Sequence, residues 1–220
     1  GSAWPDSCPS KQRVAARPTN HPKQRTMNRS RFLLASLLAT ALAIGACSKQ
    51  DKAAPAAQQA KRAPSLEIVA SEAKGFNVGS MMSTTVAYVF FDPQCPHCGH
   101  LWNSSIPLQK KTRFVWIPIA LLNASSSAQG ATLLSAADPV QSMIDHEISL
   151  ASGKGGIGAS SGTTEESKQA VKSNTELFNN LGLEGVPFTI VRNARTGQTV
   201  TRGGSMETAA LAELVGVDAP

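Results

Sequence analysis

A pair of cysteines separated by two residues stands where an apolar run gives way to a helix-forming segment. The run 84–91 (TTVAYVFF) is rich in β-branched and aromatic residues, which predicts a buried central strand. Asp92 and Pro93 end this strand, and the helix that follows can accept Pro96 in its first turn. The order of strand, cysteine and helix predicts an α/β fold that holds the Cys95 thiol at the start of a helix.

The position of Cys95 predicts its chemistry. Unpaired N–H groups and the positive end of the helix dipole favour the thiolate, which is the nucleophilic form of cysteine. Cys98 follows one helical turn later, where it can attack a mixed disulfide on Cys95 and release the partner. His97 can add a hydrogen bond or a positive charge, which stabilises the reduced form and makes the disulfide a stronger oxidant. We therefore predict that Cys95 is an exposed nucleophile, that Cys98 resolves the mixed disulfide, and that Pro96 and His97 tune the pair.

The same thiols leave a second chemistry open, because thiolates and imidazoles also bind metals. Zinc or copper could be held by Cys95 and Cys98 together with His97 or His100. A closed zinc site needs four ligands, and His146 is predicted to lie in a separate helix. We expect thiol exchange without a cofactor, and we keep a zinc or copper site as the alternative. His100 and His146 are both expected to be solvated helix residues.

Residues 27–46 have the pattern of a bacterial export signal. Two arginines precede an apolar run, 32–46, that is shorter than the roughly 20 residues that a membrane-spanning helix needs. The stretch Ile44–Cys47 resembles the lipobox of bacterial lipoproteins, in which the cysteine carries the lipid. The sequence therefore predicts a lipoprotein-type signal peptide, lipidation of Cys47, and a periplasmic protein anchored to a membrane.

The basic charge of the chain is confined to its first part. Residues 1–26, which include Cys8, lack periodicity and are interpreted as an upstream tail, either an expression remnant or an overlong reading frame. Residues 1–46 carry seven Lys and Arg and one acidic residue, whereas residues 47–220 carry fourteen of each sign. A neutral body lacks the electrostatic footprint of a nucleic-acid-binding protein, so we expect no nucleic-acid partner.

The rest of the sequence divides into a tether and one folded domain. Residues 47–64 contain no large apolar side chain and predict a flexible tether. The folded domain is predicted over 65–220, with an all-helical insertion at about 122–182 and a flexible glycine-rich connector at 153–162. Strands are predicted at 66–70, 84–91, 113–121, 188–192 and 198–202, and helices at 96–107, 127–136, 139–150, 163–181 and 205–215.

The string F-x-D-P-x-C-P-x-C followed by L-W, at 91–102, resembles the thioredoxin-fold thiol:disulfide interchange proteins of the bacterial periplasm, in particular the DsbC/DsbG branch. The similarity covers roughly residues 80–216 and includes Gly185–Pro187 before a predicted strand. It implies a thioredoxin fold with an inserted helical subdomain, a cis-proline at Pro187 facing the two cysteines, and backbone groups of Val186 free to pair with an extended substrate. It also implies protein or peptide thiols as substrates and a membrane redox protein as a partner.

Two features of the sequence depart from that branch. Some 37 residues separate Cys47 from Thr84, which is too few for the N-terminal dimerisation domain of the branch, because domains below about 40 residues rarely fold alone. We therefore expect a monomer. The pair Pro96–His97 and Val186 match the oxidase DsbA better than the isomerases, and Val89 stands where thioredoxin has a buried aspartate. Whether the protein acts as an oxidase, an isomerase or a reductase stays open.

Overall fold

The computed structural model describes residues 63–220, which form a five-stranded sheet flanked by helices. In chain order the elements are α1 (Leu66–Glu72), β1 (Phe76–Gly79), β2 (Val86–Phe91), α2 (Pro96–Ser105) with a 3₁₀ turn (Ile106–Leu108), β3 (Arg113–Pro118), α3 (Ala124–Ser135), α4 (Pro139–Ala151), α5 (Glu165–Asn180), β4 (Phe188–Arg192), β5 (Thr199–Gly203) and α6 (Thr208–Val215). The upstream tail, the signal peptide, Cys47 and most of the tether lie outside the described residues. Within 63–220 no helix is both long and apolar enough to cross a bilayer.

The sheet has the strand order β1-β3-β2-β4-β5. Strands β2 and β3 are parallel, and every other neighbouring pair is antiparallel. Strand β2 lies in the centre, and its last two residues, Phe90 and Phe91, are fully buried on opposite faces of the sheet. The central position confirms the prediction from the apolar run. It also brings the segment after β2, which contains both cysteines, to the carboxyl edge of the parallel pair.

Aromatic packing fixes α2 against the sheet. Trp102 on α2 contacts Trp116 on β3 with ring centroids 5.1 Å apart, and Trp116 also contacts Phe91 at 5.5 Å. On the other face Phe90 packs against Phe178 of α5 at 5.6 Å. Such edge-to-face pairs each stabilise by about 0.5–1.5 kcal/mol beyond the burial of their area. The helix that begins at the C-x-x-C motif is therefore held to the core one turn after Cys98.

The first element differs from its prediction. The segment 66–70 was predicted to be a strand, but it begins helix α1, because the Ser65 hydroxyl caps the helix by accepting the Ile68 N–H. The helix buries Val69 against the sheet. The strand at this edge is instead β1, whose four residues Phe76–Gly79 pair with β3. Its residues alternate between buried and exposed, but a run of only four gives a weak signal, and the sequence prediction missed it.

Three helices, α3 to α5, occupy the chain between β3 and β4, where the sequence predicts helical structure. Helix α4 begins at Pro139, as predicted, after the N-cap Asp138, whose carboxylate accepts a backbone N–H of the first turn. Helix α5 begins at Glu165 rather than at the predicted residue 163, because Thr164 is its N-cap and accepts the Ser167 N–H through its hydroxyl. Strand β3 ends at Pro118, whereas the sequence predicted a strand over 113–121, because proline has no N–H to donate to the sheet.

Candidate redox site

The two cysteines lie at the start of α2. Cys95 is the N-cap residue and Pro96 occupies the first helical position. The Cys95 N–H donates to the Asp92 carbonyl at 3.0 Å, and the Cys95 carbonyl accepts the Cys98 N–H at 2.9 Å. Both sulfurs are free thiols. Pro96 and His97 between them are exposed.

The two cysteines differ less in solvent exposure than the sequence predicted. Cys98 is fully buried, and Cys95 is 5% exposed. The prediction of an exposed Cys95 is therefore wrong. The backbone of Val186 covers the sulfur, because the segment before β4 lies directly over the start of α2.

The Val186 carbonyl contacts Cys95 and so joins the segment before β4 to the start of α2. Cys95 Sγ lies 3.6 Å from Val186 O, and the thiol donates a hydrogen bond to that carbonyl across 91 residues of sequence. The Val186–Pro187 peptide bond is cis. The Pro187 carbonyl accepts the Gly204 N–H at 2.8 Å, which ties this segment to the end of β5. Cys95 Sγ therefore lies beside the edge formed by Val186 and Pro187.

The surroundings of Cys95 lower its pKa to about 6. The largest cause is a hydrogen bond from the Cys98 thiol to the Cys95 sulfur, and burial opposes it. The backbone N–H groups of Cys98 and His97 contribute next, and the charge of His97 has the smallest effect of the five causes. At neutral pH Cys95 is therefore mostly thiolate. From the sequence, we attributed the low pKa of Cys95 to the helix start and to the His97 imidazole. In the structure the largest cause is the hydrogen bond from the Cys98 thiol.

Cys98 has the opposite behaviour. Burial is the largest cause that raises the pKa of its thiol, followed by the hydrogen bond to Cys95 and the negative charge of that sulfur. Cys98 is therefore a protonated thiol whenever Cys95 is a free thiolate. The Cys95 thiol is therefore activated as a nucleophile, and the Cys98 thiol stays protonated until it is needed for the second displacement.

Asp92 organises the backbone in front of the cysteines, a role that the sequence did not reveal. Its carboxylate is fully buried and accepts four hydrogen bonds. One oxygen accepts from the Gln94 N–H at 2.8 Å and the Ser126 hydroxyl at 2.7 Å, and the other accepts from the N–H groups of Leu121 and Leu122 at 2.7 and 2.9 Å. Asp92 thus binds the loop before α2 to the segment that leads from β3 into α3.

Comparison with proteins of known sequence identifies relatives among thiol:disulfide interchange proteins. DsbG of Pseudomonas aeruginosa is 28% identical over 137 residues, which are 60% of this chain and 51% of that protein. DsbG of Escherichia coli is 25% identical over 111 residues, which are 50% of this chain and 44% of that protein. The chain thus spans about half the length of the curated relatives it matches. No protein-family model matches it.

Comparison with solved structures shows the fold. A periplasmic thioredoxin-like protein from Salmonella enterica serovar Typhimurium has a TM-score of 0.53 at 18% identity, covering 70% of this chain and 97% of that chain. The ScsC protein of Proteus mirabilis in a compact conformation has a TM-score of 0.56 at 19% identity, covering 71% and 81%. The chain has a thioredoxin fold and is DsbG-like in sequence.

A second polar network of this DsbG-like chain holds the glycine-rich loop beside the cysteines. The Gln94 side chain donates to Gln129 Oε1 at 2.6 Å and to the Gly155 backbone carbonyl at 2.9 Å. Gln129 in turn donates to the carbonyls of Gly155 and Ile157 at 2.8 and 2.9 Å. The loop at 153–162 was interpreted as a flexible connector, but these bonds fasten its first part to the residue that precedes Cys95.

His146 is a structural residue rather than the solvated one that the sequence predicted. The ring is fully buried, which lowers its pKa. Its Nδ1 accepts the Ile157 N–H at 3.2 Å, which leaves Nε2 to donate to the Pro93 carbonyl at 2.6 Å. His146 therefore connects α4 and the glycine-rich loop to the segment just before the motif. The prediction that His146 is solvated is wrong, because a single histidine in a helix gives no local sign of partners so far along the chain.

The metal alternative finds no ligand set in the described part of the chain. His97 and His100 are both exposed, and their rings meet edge to face at 5.9 Å. Within residues 63–220 no three His, Cys, Asp or Glu side chains are grouped closely enough to hold a metal ion. What the structure does bring together is the pair Cys95 and Cys98 with the edge formed by Val186 and Pro187.

Proposed function

We propose that this protein is a thiol:disulfide oxidoreductase that exchanges disulfides with protein or peptide substrates through Cys95 and Cys98. The observation that carries the proposal is the asymmetry of the pair. The Cys95 thiol, which is 5% exposed and has a pKa near 6, lies next to the fully buried Cys98 thiol, whose pKa is raised. The thioredoxin fold and the names of the DsbG relatives support the same activity.

The exchange proceeds in two displacement steps. The Cys95 thiolate attacks a substrate disulfide, forms a mixed disulfide with one substrate sulfur and releases the other as a thiolate that takes up a proton. Cys98 then loses its proton and attacks Cys95 Sγ, which releases the second substrate thiol and leaves the Cys95–Cys98 disulfide. The same steps in reverse oxidise a dithiol substrate. The direction depends on the reduction potential and on the redox partner, which we propose to be a membrane protein.

The edge at Val186 and Pro187 is proposed to hold the substrate. The backbone of Val186 lies within 3.6 Å of the nucleophilic sulfur, so an extended peptide placed along it would bring its own cysteine next to Cys95. Main-chain pairing of this kind accepts many sequences, because it uses groups that every peptide has. This arrangement suits an enzyme that acts on varied polypeptides.

A redox titration tests the proposed function. Equilibration of the protein with glutathione buffers is expected to show one reversible two-electron couple between about −300 and −100 mV. Cys95→Ser and Cys98→Ser variants provide the controls, since each removes one sulfur of the couple. A wild-type protein without a reversible couple in that range would sink the proposal.

His97→Ala is expected to raise the pKa of Cys95 and to lower the reduction potential, because the imidazole no longer stabilises the thiolate. The change should be small, since the charge of His97 is the weakest of the five causes. The thiolate absorbance of the reduced protein against pH measures the pKa. His100→Ala is the matched control, because His100 is exposed on the same helix and contacts the His97 ring. Equal shifts in both variants would contradict a specific role for His97.

We further propose that the protein acts in the periplasm, tethered by lipid on Cys47, and that it is a monomer. The lipobox-like sequence before Cys47 supports the tether, and the similarity to a periplasmic thioredoxin-like protein of Salmonella enterica supports the compartment. Metabolic labelling with a fatty-acid analogue should mark the wild-type chain and not Cys47→Ser. A label that persists in Cys47→Ser would contradict lipidation at this residue.

The proposed monomer has its own test: light scattering of the purified protein should give the mass of a single chain.

A further inference from the structure

A carboxylate that the exchange mechanism does not use lies beside the C-x-x-C helix. Glu147 on α4 places its side chain against Gly99, the residue directly after Cys98. A Cβ atom at position 99 would collide with Glu147 Oε2, so the absence of a side chain at Gly99 creates the space that the carboxylate fills. Both residues line a cavity of about 450 Å³ that also contacts Pro96 and His100. The carboxylate thus shares a cavity with the residue that follows Cys95.

Glu147 is isolated from compensating partners. Its side chain is partly buried, and within residues 63–220 its carboxylate makes no hydrogen bond and no ion pair. From α2 the titratable groups that face it are Cys95, whose charge acts on it, and His100 at the cavity rim. On its own helix the neighbouring His146 uses both ring nitrogens elsewhere. The other residues of the cavity wall are uncharged.

The environment favours the protonated form of this carboxyl group. Burial is the main cause that raises the pKa of Glu147, the negative charge of Cys95 is the second, and together they bring it to about 7. The pKa of Cys95 is about 6, so the two groups titrate in the same range of pH. Two neighbouring acids of similar pKa do not ionise independently, because the first charge opposes the second. A thiolate on Cys95 therefore holds the proton on Glu147.

We propose that Glu147 is a proton-holding residue of the redox site, which keeps a proton while Cys95 is a free thiolate and gives it up when Cys95 enters a disulfide. The inference rests on the proposed function, because it needs the Cys95–Cys98 pair to be redox-active. Reduction of the disulfide by two electrons gives the Cys95 thiolate and the Cys98 thiol, which takes one proton. Near neutral pH Glu147 takes up a second proton, which offsets the new negative charge. Oxidation releases both protons.

The ionisation of Glu147 therefore makes the stability of the reduced form relative to the disulfide depend on pH. Above the pKa of Glu147 the ionised carboxylate repels the Cys95 thiolate, so the reduced form is less favourable. Below that pKa the carboxyl group is neutral and the repulsion disappears. Replacement of the carboxylate by a neutral amide should therefore favour reduction at high pH and have no effect at low pH. A residue with a merely structural role would not produce this difference between two pH values.

The exchange equilibrium with glutathione tests the proposal. At pH 8 the disulfide of Glu147→Gln is expected to be reduced with an equilibrium constant about three- to tenfold above that of the wild type, and at pH 5.5 the two constants should coincide. Asp145→Asn is the matched control, because it makes the same change at an exposed position of α4 and should follow the wild type at both pH values. A ratio between Glu147→Gln and wild type that does not change with pH would overturn the proposal.

A measurement on the wild-type protein avoids dependence on the variant. The carboxyl carbon of Glu147, assigned by through-bond NMR, can be titrated in the reduced and the oxidised protein. We expect a higher pKa in the reduced protein, where the thiolate is present. Equal values in a protein that exchanges reversibly with glutathione would overturn the proton coupling and leave the proposed function intact. A wild-type protein that does not exchange at all would overturn both.

Discussion

Cys98→Ala is expected to raise the pKa of Cys95 from about 6 toward its ordinary value near 8.5, whereas Cys98→Ser should leave most of the acidity in place. The hydrogen bond from the Cys98 thiol is the largest of the causes that stabilise the Cys95 thiolate. A serine hydroxyl is also a donor and occupies a similar volume, while alanine has no donor. The two substitutions remove the same resolving sulfur and differ in the hydrogen bond.

The rate of alkylation against pH separates the two variants. Only the thiolate reacts, and it exists above the pKa of the thiol, so the rate rises as the pH passes through that pKa. At pH 6 about half of the Cys95 in the wild type is thiolate. The Cys98→Ala variant should react at about one tenth of the wild-type rate or below. Cys98→Ser should stay close to the wild type. Equal rates for the alanine and serine variants would show that the helix start and His97 suffice to acidify Cys95.

Both variants should also accumulate mixed disulfides with substrates. Without a sulfur at position 98 the second displacement cannot occur, so the exchange stops with the substrate bound to Cys95. The serine variant should trap more substrate at pH 6 to 7, because a larger fraction of its Cys95 is thiolate. Non-reducing electrophoresis of cell extracts measures the trapped species. Cys95→Ser, which keeps Cys98, should trap none, and abundant adducts on that variant would contradict the assignment of the nucleophile.

Local sequence signals predicted the part of the fold that presents the cysteines. The buried strand β2 and the start of α2 at Pro96 each follow from residues within a few positions of the feature. The strand predicted at 113–121 was also found, but it ends earlier, at Pro118. The proximity of Val186 to Cys95 did not follow from such signals, since 91 residues separate them. It was expected only because the motif resembles thiol:disulfide interchange proteins.

The parts of the site that the sequence missed depend on tertiary contacts. Asp92 was interpreted as the end of a strand, and its hydrogen-bond donors come from positions as far away as Ser126. Glu147 and His146 lie in an ordinary amphipathic helix, and nothing around them in the sequence shows that α4 packs beside the motif. The main cause of the low pKa of Cys95 likewise depends on tertiary geometry. It is the hydrogen bond from the Cys98 thiol, whose direction is set by the buried packing of α2.

Asp92→Asn is expected to lower the free energy of unfolding by about 2–4 kcal/mol, because the four donors around the carboxylate require four acceptor positions. An asparagine side chain offers one oxygen, and its amino group must then face donors. If the amino group turns toward Leu121 and Leu122, their two backbone N–H groups lose their acceptor. If it turns toward Gln94, the Gln94 N–H meets an amino group, and only the hydroxyl of Ser126 can adapt by rotation.

Urea denaturation of the reduced protein measures this loss, and Asp138→Asn provides the matched control. Asp138 is the N-cap of α4 and uses one oxygen to accept the Gln141 N–H at 2.9 Å. Asparagine caps a helix about as well as aspartate, so this variant should change the free energy of unfolding by less than about 0.5 kcal/mol. A similar small change for Asp92→Asn would mean that the buried carboxylate does not hold the loop before Cys95. A large difference between the variants would show that the stability of the fold depends on the buried Asp92 carboxylate, which joins the loop before Cys95 to the segment after β3.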